Sequence, residues 1–244
     1  MELLFGFAII ILLFFVFREI VMWYWKINEI VKLLTEIRDG LNPDKRAIEK
    51  PSANEIDDAQ DMVDACALLG VDVMTGHWEF TLGMERVNEI VKKDFAGQID
   101  FVAHNVKTAD FGDLVFKPYV IKPINGIPTA IIGQAFPYTP IANPRYMVAD
   151  WEFGIQEDHL QTMIDEVRGK GAQVVVLLSH NGMDVDLKLA SRISGIDAIL
   201  GGHTHDGMPV PVLVDNPGGK TVVTNAGSNG KFLAVLDLEV KGSG

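Results

Sequence analysis

The amino-acid sequence predicts an α/β protein, a layered α/β sandwich preceded by a single transmembrane helix. Three features carry this reading. Strand-like apolar runs alternate with helical patterns from about Gln60 onward, five of the six histidines fall just after such runs, and a long apolar stretch opens the chain. Alternation of the two patterns predicts helices outside sheets, since each element buries an apolar face against its neighbour.

The opening stretch runs from Leu3 to Phe17, is interrupted by Arg18-Glu19, and resumes at Ile20 to Trp25. Fifteen helical residues rise about 22 Å, short of a hydrocarbon core of roughly 30 Å, whereas continuing to Trp25 gives about 34 Å. A span over 1–25 therefore has to absorb the charged pair. Trp23, Tyr24 and Trp25 then form an interfacial belt with Lys26 at the water edge. A cleaved secretory signal is disfavoured because no basic residue precedes Leu3 and no small-residue cleavage site follows Phe17. Residues 26–59 read as a juxtamembrane helix and linker. Ile27, Ile30, Val31, Leu34 and Ile37 recur at helical spacing, and Gly40, Pro43 and Pro51 end the pattern. This helix either self-associates as a stalk or lies against the membrane or the domain. The expected localisation is single-pass membrane with the side open, because basic residues after the span favour the cytoplasm.

Residues 60–244 hold the alternating elements. Helices are expected over Asp61 to Leu69, Met84 to Lys93 and Ile155 to Arg168, with a further short helix before Ala198. Strands are expected at Val71 to Met74, Ile99 to Ala103, Val174 to Leu178 and Ala198 to Leu200. Val115 to Ile121 and Ile127 to Ile132 flank Asn125-Gly126, a hairpin signal. Val210 to Val214, Thr221 to Thr224 and Phe232 to Leu238 complete the strands, and the loop from Pro137 to Pro144 is a candidate cleft wall.

With 33 acidic against 21 basic residues and a net charge of -12, the chain is a poor match for nucleic acid, whose binding relies on Lys and Arg. Cys66 is the only cysteine, which excludes an internal disulfide and a thiolate zinc cage.

The histidines carry the chemistry. His77, His104, His180, His203 and His205 each follow an apolar run, and ligands of open α/β sheets bind beyond the carboxyl ends of strands. Gly201-Gly202-His203-Thr204-His205-Asp206 is the sharpest segment, since paired glycines allow a tight turn and two imidazoles follow it. A lone histidine at a strand end is more often a hydrogen-bonded turn residue. The set His180, His203 and His205 reverses that expectation and points to a transition-metal or divalent-metal hydrolase site. His77 stands between the two readings, His104 reads as a neighbour of the site, and His159 as a solvated helix residue.

Gly76-His77-Trp78-Glu79-Phe80-Thr81, Ser179-His180-Asn181-Gly182-Met183-Asp184 and the Gly201 to Asp206 segment closely resemble SoxB-type thiosulfohydrolases, of the 5'-nucleotidase-like metallophosphoesterase superfamily. The resemblance runs from about Gln60 to Lys241. It implies a partial metallophosphoesterase-type sandwich with two divalent metals, manganese foremost, that activate water against a phosphoryl or sulfuryl centre. It further implies sulfate release from a cysteine-bound thiosulfonate on a SoxYZ-type carrier protein in periplasmic thiosulfate oxidation. Carried over by position, His180 and His203 match ligands of one metal and His205 a ligand of the other. His77 stands where nucleotidases have a metal-binding asparagine. Trp78, Asn105, Asn181 and Asp206 are expected to line the substrate channel. Trp78 and Thr81 occupy the positions of the nucleotidase His and Asp dyad, which favours the thiosulfohydrolase branch, with simple packing as the bland role for Trp78.

The resemblance also implies an Asp-x-His motif and a Gly-Gly-Asp segment upstream of the matching region, and neither occurs before Gln60. The domain therefore reads as truncated at both ends and joined to an unrelated membrane segment. One weakly held ion and impaired turnover are expected. The alternatives are a non-catalytic tethered interaction module and a 5'-nucleotidase-like phosphoesterase.

Overall fold

The computed structural model describes residues 59–241, together with Lys32. The run Leu3 to Trp25 and nearly all of the expected juxtamembrane helix and linker lie outside the described residues. The expectation of a single-pass membrane protein is corrected: among the described residues no helix is long and apolar enough to cross a membrane.

The chain divides into two units, Met1–Leu69 and Gly70–Gly244. In the first, α1 spans Gln60–Leu69 with Asp61 in its first turn, where a carboxylate complements the helix dipole. In the second, β1 (Val73–Met74) leads to a 3₁₀ turn at Trp78–Leu82 and to α2 (Met84–Glu89), which continues as a π turn over Ile90–Asp94. Then come β2 (Asp100–Phe101), β3 (Lys107–Thr108), β4 (Tyr119–Ile124), β5 (Ile127–Gln134), α3 (Thr139–Ala142) and β6 (Trp151–Glu152). Last are α4 (Glu157–Gly169), β7 (Val174–Ser179), α5 (Met183–Ala190), β8 (Ala198–Gly201), β9 (Val212–Asn216) and β10 (Gly219–Asn225).

Six strands form one mixed sheet in the order β4-β5-β7-β8-β10-β9. The four inner strands are parallel, and β4 and β9 are antiparallel edges. Asn125 and Gly126 at the β4–β5 turn have φ of 50° and 81°, the positive pair that a tight hairpin turn of this sequence favours. The Val-Val-Val-Leu-Leu run of β7 is largely buried because parallel inner strands are covered on their faces.

Helix α4 covers one face of the sheet. Leu160, Met163, Ile164 and Val167 lie at helical spacing and join Ala130, Ile132, Val175, Leu177, Ile199 and Val223 in one core. Helix α5 adds Met183, Leu189 and Ala190 to it. Phe80, Phe101, Phe116 and Trp151 form an aromatic cluster, with ring centroids of neighbouring pairs 4.8 to 6.4 Å apart. Between these layers the backbone approach is close. A Cβ on Gly133 in β5 would stand 1.9 Å from the carbonyl oxygen of Val102, so only glycine fits there.

Strand boundaries differ from the sequence reading in two places. The first hairpin arm is Tyr119–Ile124 and not Val115 to Ile121. Phe232 to Leu238 forms no strand despite its alternating apolar pattern, and Phe232, Leu233 and Val235 are exposed. A strand needs a hydrogen-bonding neighbour, and no described strand pairs with this segment.

Candidate metal centre

The register of the sheet brings the chemistry to one edge. Gln134 of β5 pairs with Ser179 of β7, Leu178 pairs with Leu200 of β8, and Gly201 pairs with Asn225 of β10. The strands thus end together, and the residues just beyond them face one place. His180 follows β7, and its backbone N–H donates to Gln134 O at 2.9 Å. His203 follows β8 after Gly202. His77 follows β1 and opens the 3₁₀ turn, with its backbone N–H donating to Glu79 Oε2 at 2.7 Å. The loop after β5 is tied to the His77 loop where Phe136 N–H donates to Gly76 O at 3.1 Å.

His77, His180 and His203 converge, each offering a ring nitrogen, with these atoms all within 4.8 Å of one another. Ring centroids are 4.5 Å apart for His77 and His180, 5.1 Å for His77 and His203, and 5.4 Å for His180 and His203. Three imidazoles so close cannot all carry protons. Burial pushes His77 down to about 4, with the neighbouring His203 and His205 adding repulsion. Burial likewise pushes His180 down to about 3, and lowers His203. The rings are therefore neutral at pH 7 and present lone pairs, the form that binds a metal.

The fit to a cation rests on an orphaned atom. Nδ1 of His77 is buried and has no hydrogen-bond partner, a costly arrangement for a polar group unless a ligand answers it. A neutral three-imidazole set suits zinc, iron, manganese and their neighbours and is a poor match for calcium.

His205 stays outside this group. It is exposed at φ 59°, two residues after His203 at φ 73°, so the turn directs the two imidazoles differently. Of the four residues expected to line a channel, Trp78 is 64% exposed with its ring centroid 5.0 Å from that of His77. Asp206 is half-buried and accepts the Thr204 hydroxyl at 2.5 Å. Asn181 is buried beside His180, its amide donating to Asp186 Oδ1 at 3.1 Å. Asn105 is 0% exposed and cannot line an open channel. Its amide donates to Ala135 O and Gly154 O and accepts from Ala135 N–H, each at 2.8 Å, so it buttresses the wall behind the triad.

His104 is likewise part of that wall. Its Nε2 meets Gln134 Oε1 at 2.5 Å, which requires Nε2 to donate and leaves Nδ1 to accept from His159 Nδ1–H at 3.1 Å. Burial pushes His104 down to about 3.

Two residues at the site carry no signal in the histidine pattern. Phe136 stacks on His203 with centroids 4.1 Å apart and lies 4.3 Å from His77, forming an apolar floor. It follows β5, the same strand-end position that singles out the histidines. Asp186 is wholly buried on α5, and its place among Met183, Leu189 and Ala190 on the buried side of that helix is the signal that an acid there has a purpose.

Comparison with solved structures decides the family. The chain is 40% identical to the sulfate thiohydrolase SoxB of Thermus thermophilus, with a TM-score of 0.63 over 68% of this chain and 29% of that one. It is 28% identical to a 5'-nucleotidase precursor of the same organism, with a TM-score of 0.56 over 67% and 35%. The chain belongs to the 5'-nucleotidase-like metallophosphoesterase superfamily. Among curated proteins, this metallophosphoesterase chain is 26% identical to rat 5'-nucleotidase over 199 residues, which cover 72% of it and 33% of the relative. It thus spans about a third of the length of the relatives it matches. No family model matches it. The superfamily is divalent-metal-dependent, in agreement with the triad.

Proposed function

We propose that this chain is a SoxB-like metal-dependent hydrolase whose substrate is a sulfuryl group on a cysteine-bound thiosulfonate, presented by a SoxYZ-type carrier protein. The single observation that carries a metal-dependent reaction is the convergence of His77, His180 and His203 on one spot with an unanswered buried Nδ1. When bound there, a divalent ion, manganese in this reading, supplies Lewis-acid polarisation of the group under attack.

The chain's own residues bear on the leaving group. Trp78 and Thr81 follow His77, and neither donates a proton to a departing alkoxide at neutral pH. The Thr81 hydroxyl is spent on Trp78 O at 2.7 Å. A sulfur leaving group departs as a stable anion without that proton, which favours a thiosulfonate over a nucleotide. Phe136 and the exposed Trp78 flank the triad with apolar surface, which limits water around a reacting group. The phosphoester reading rests on the likeness to the 5'-nucleotidases, and the same assay decides between the two.

Turnover by this chain alone is expected to be low, because its sequence contains neither an Asp-x-His motif nor a Gly-Gly-Asp segment before Gln60. Each missing ligand removes charge and geometry from a two-metal site. The experiment is elemental analysis of the purified full chain together with sulfate release from a carrier thiosulfonate and phosphate release from AMP, both with added manganese. One ion per chain, lost in His203→Ala, with trace sulfate and no phosphate, is the expected result. Two tightly held ions, or AMP turnover that disappears in His203→Ala, would overturn the reading.

A further inference from the structure

Behind the triad lies a buried carboxylate that touches none of the three histidines' ring nitrogens. Asp186 on α5 is 0% exposed. Its Oδ1 accepts the hydroxyl of Ser179 at 2.6 Å and the amide of Asn181 at 3.1 Å, the two residues that flank His180. Ser179 Oγ in turn accepts the backbone N–H of Asn181 at 3.2 Å, closing a ring of bonds around the His180 backbone.

The other oxygen faces the second ligand loop. Oδ2 has no hydrogen-bond partner and would stand 2.8 Å from a Cβ on Gly201, the residue two before His203. The carbonyl oxygen of Thr224 lies 3.1 Å from the same point. Any side chain at position 201 would expel the carboxylate. Met183, at the start of α5, adds a direct link, its backbone N–H donating to Thr204 Oγ1 at 3.0 Å.

We propose that Asp186 is a positioning residue that locks the His180 loop to the His203 turn, so that the spacing of these two imidazoles, and with it the affinity for the ion, is set from α5. This rests on the metal reading of the triad. Residues behind metal ligands typically alter affinity about 10- to 100-fold when removed.

The test is a cobalt(II) titration of the full chain by visible absorption, paired with hydrogen exchange without metal. Asp186→Ala should weaken cobalt binding about 10- to 100-fold. Asp186→Asn keeps an acceptor at Oδ1 and should retain the wild-type affinity. Leu189→Ala is the control for mere loss of packing on the same helix, and should leave the affinity of the folded chain unchanged. Ser179→Ala removes one bond only and gives an intermediate loss if Asp186→Ala does not fold. In hydrogen exchange, the amides of Asn181, Met183 and Thr204 should all lose protection in Asp186→Ala, and keep it in Leu189→Ala. Equal effects of the alanine substitutions at 186 and 189, or wild-type affinity and protection in Asp186→Ala, would overturn the proposal. If the wild-type chain takes up no cobalt, the metal reading fails while hydrogen exchange still decides whether Asp186 couples the loops.

Discussion

Replacing Asp186 by Asn should stabilise the fold at neutral pH and have no effect in mild acid. Burial raises the Asp186 carboxyl from 3.8 to about 6, against the opposing bonds from Ser179 and Asn181. The unfolded chain ionises this group from 3.8 upward, whereas the folded chain resists until about 6. Its contribution to stability is therefore fully present below 3.8, is lost as the pH climbs through 6, and stays lost above. Two units at 1.36 kcal/mol each make this a cost of about 3 kcal/mol at pH 7. Asparagine carries no charge to desolvate. Its oxygen replaces Oδ1 beneath Ser179 and Asn181, and its NH₂ takes the place of Oδ2 near the Thr224 carbonyl. Urea unfolding of both proteins from pH 4 to 7.5 is the assay, and the difference between them is the readout, since other titrating groups cancel in it. The gap should open from near zero at pH 4 to about 3 kcal/mol by pH 6.5 and then level off. A gap that does not change with pH, or an Asn variant less stable at pH 7, would refute the assignment of Oδ2 as a buried, unanswered charge.

Phe136→Ala should cost about 3 kcal/mol in unfolding free energy and weaken cobalt binding, because it removes the ring on which His203 stacks. Calorimetry and the cobalt titration check both effects, and unchanged metal affinity would show that the stacking does not orient His203. Gly133→Ala should destabilise by about 3 kcal/mol, the new Cβ being aimed at the Val102 carbonyl, a backbone atom with little room to yield. Wild-type stability in urea would contradict the close approach of β5 to that segment. His104, held near 3 by burial, should show no titration of its imidazole in NMR above pH 4. The unfolded chain takes up that proton from 6.5 downward, so the stability present above 6.5 should be lost progressively, by about 4 to 5 kcal/mol, as the pH falls toward 3. An imidazole titrating near 6.5 would refute it.

The inner sheet was legible because β-branched and aliphatic runs such as Val174 to Leu178 admit few alternatives once helices such as α4 flank them. The hairpin was legible from Asn125-Gly126, whose positive φ values few other pairs tolerate. Strand length was less so. The β4 strand extends to Ile124 through Lys122 and Pro123 because an edge strand tolerates both, a freedom that no hydropathy pattern reveals. Phe232 to Leu238 has the alternation of a strand and forms none, since alternation states only which faces would be apolar, and pairing depends on a neighbour elsewhere in the chain.

The same division runs through the site. Position after a strand identified His77, His180 and His203, because parallel strands in register end together and deliver whatever follows them to one place. That rule says nothing about a turn residue's direction, so His205, at φ 59°, is exposed while His203 faces the triad. Nor does it reach the second layer. Asn105 lies in the right segment yet spends its amide on Ala135 and Gly154, and Asp186 sits six residues beyond His180 yet grips both residues beside it. For these the informative pattern is a different one: a polar side chain where an apolar one belongs. Asn105 at a strand's end and Asp186 on the buried side of a helix are tolerable only with partners, and in each case those partners are the residues that carry or adjoin the metal-binding loops. A misplaced polar residue in a sequence thus points to the scaffold of a site, as a histidine after a strand points to its ligands.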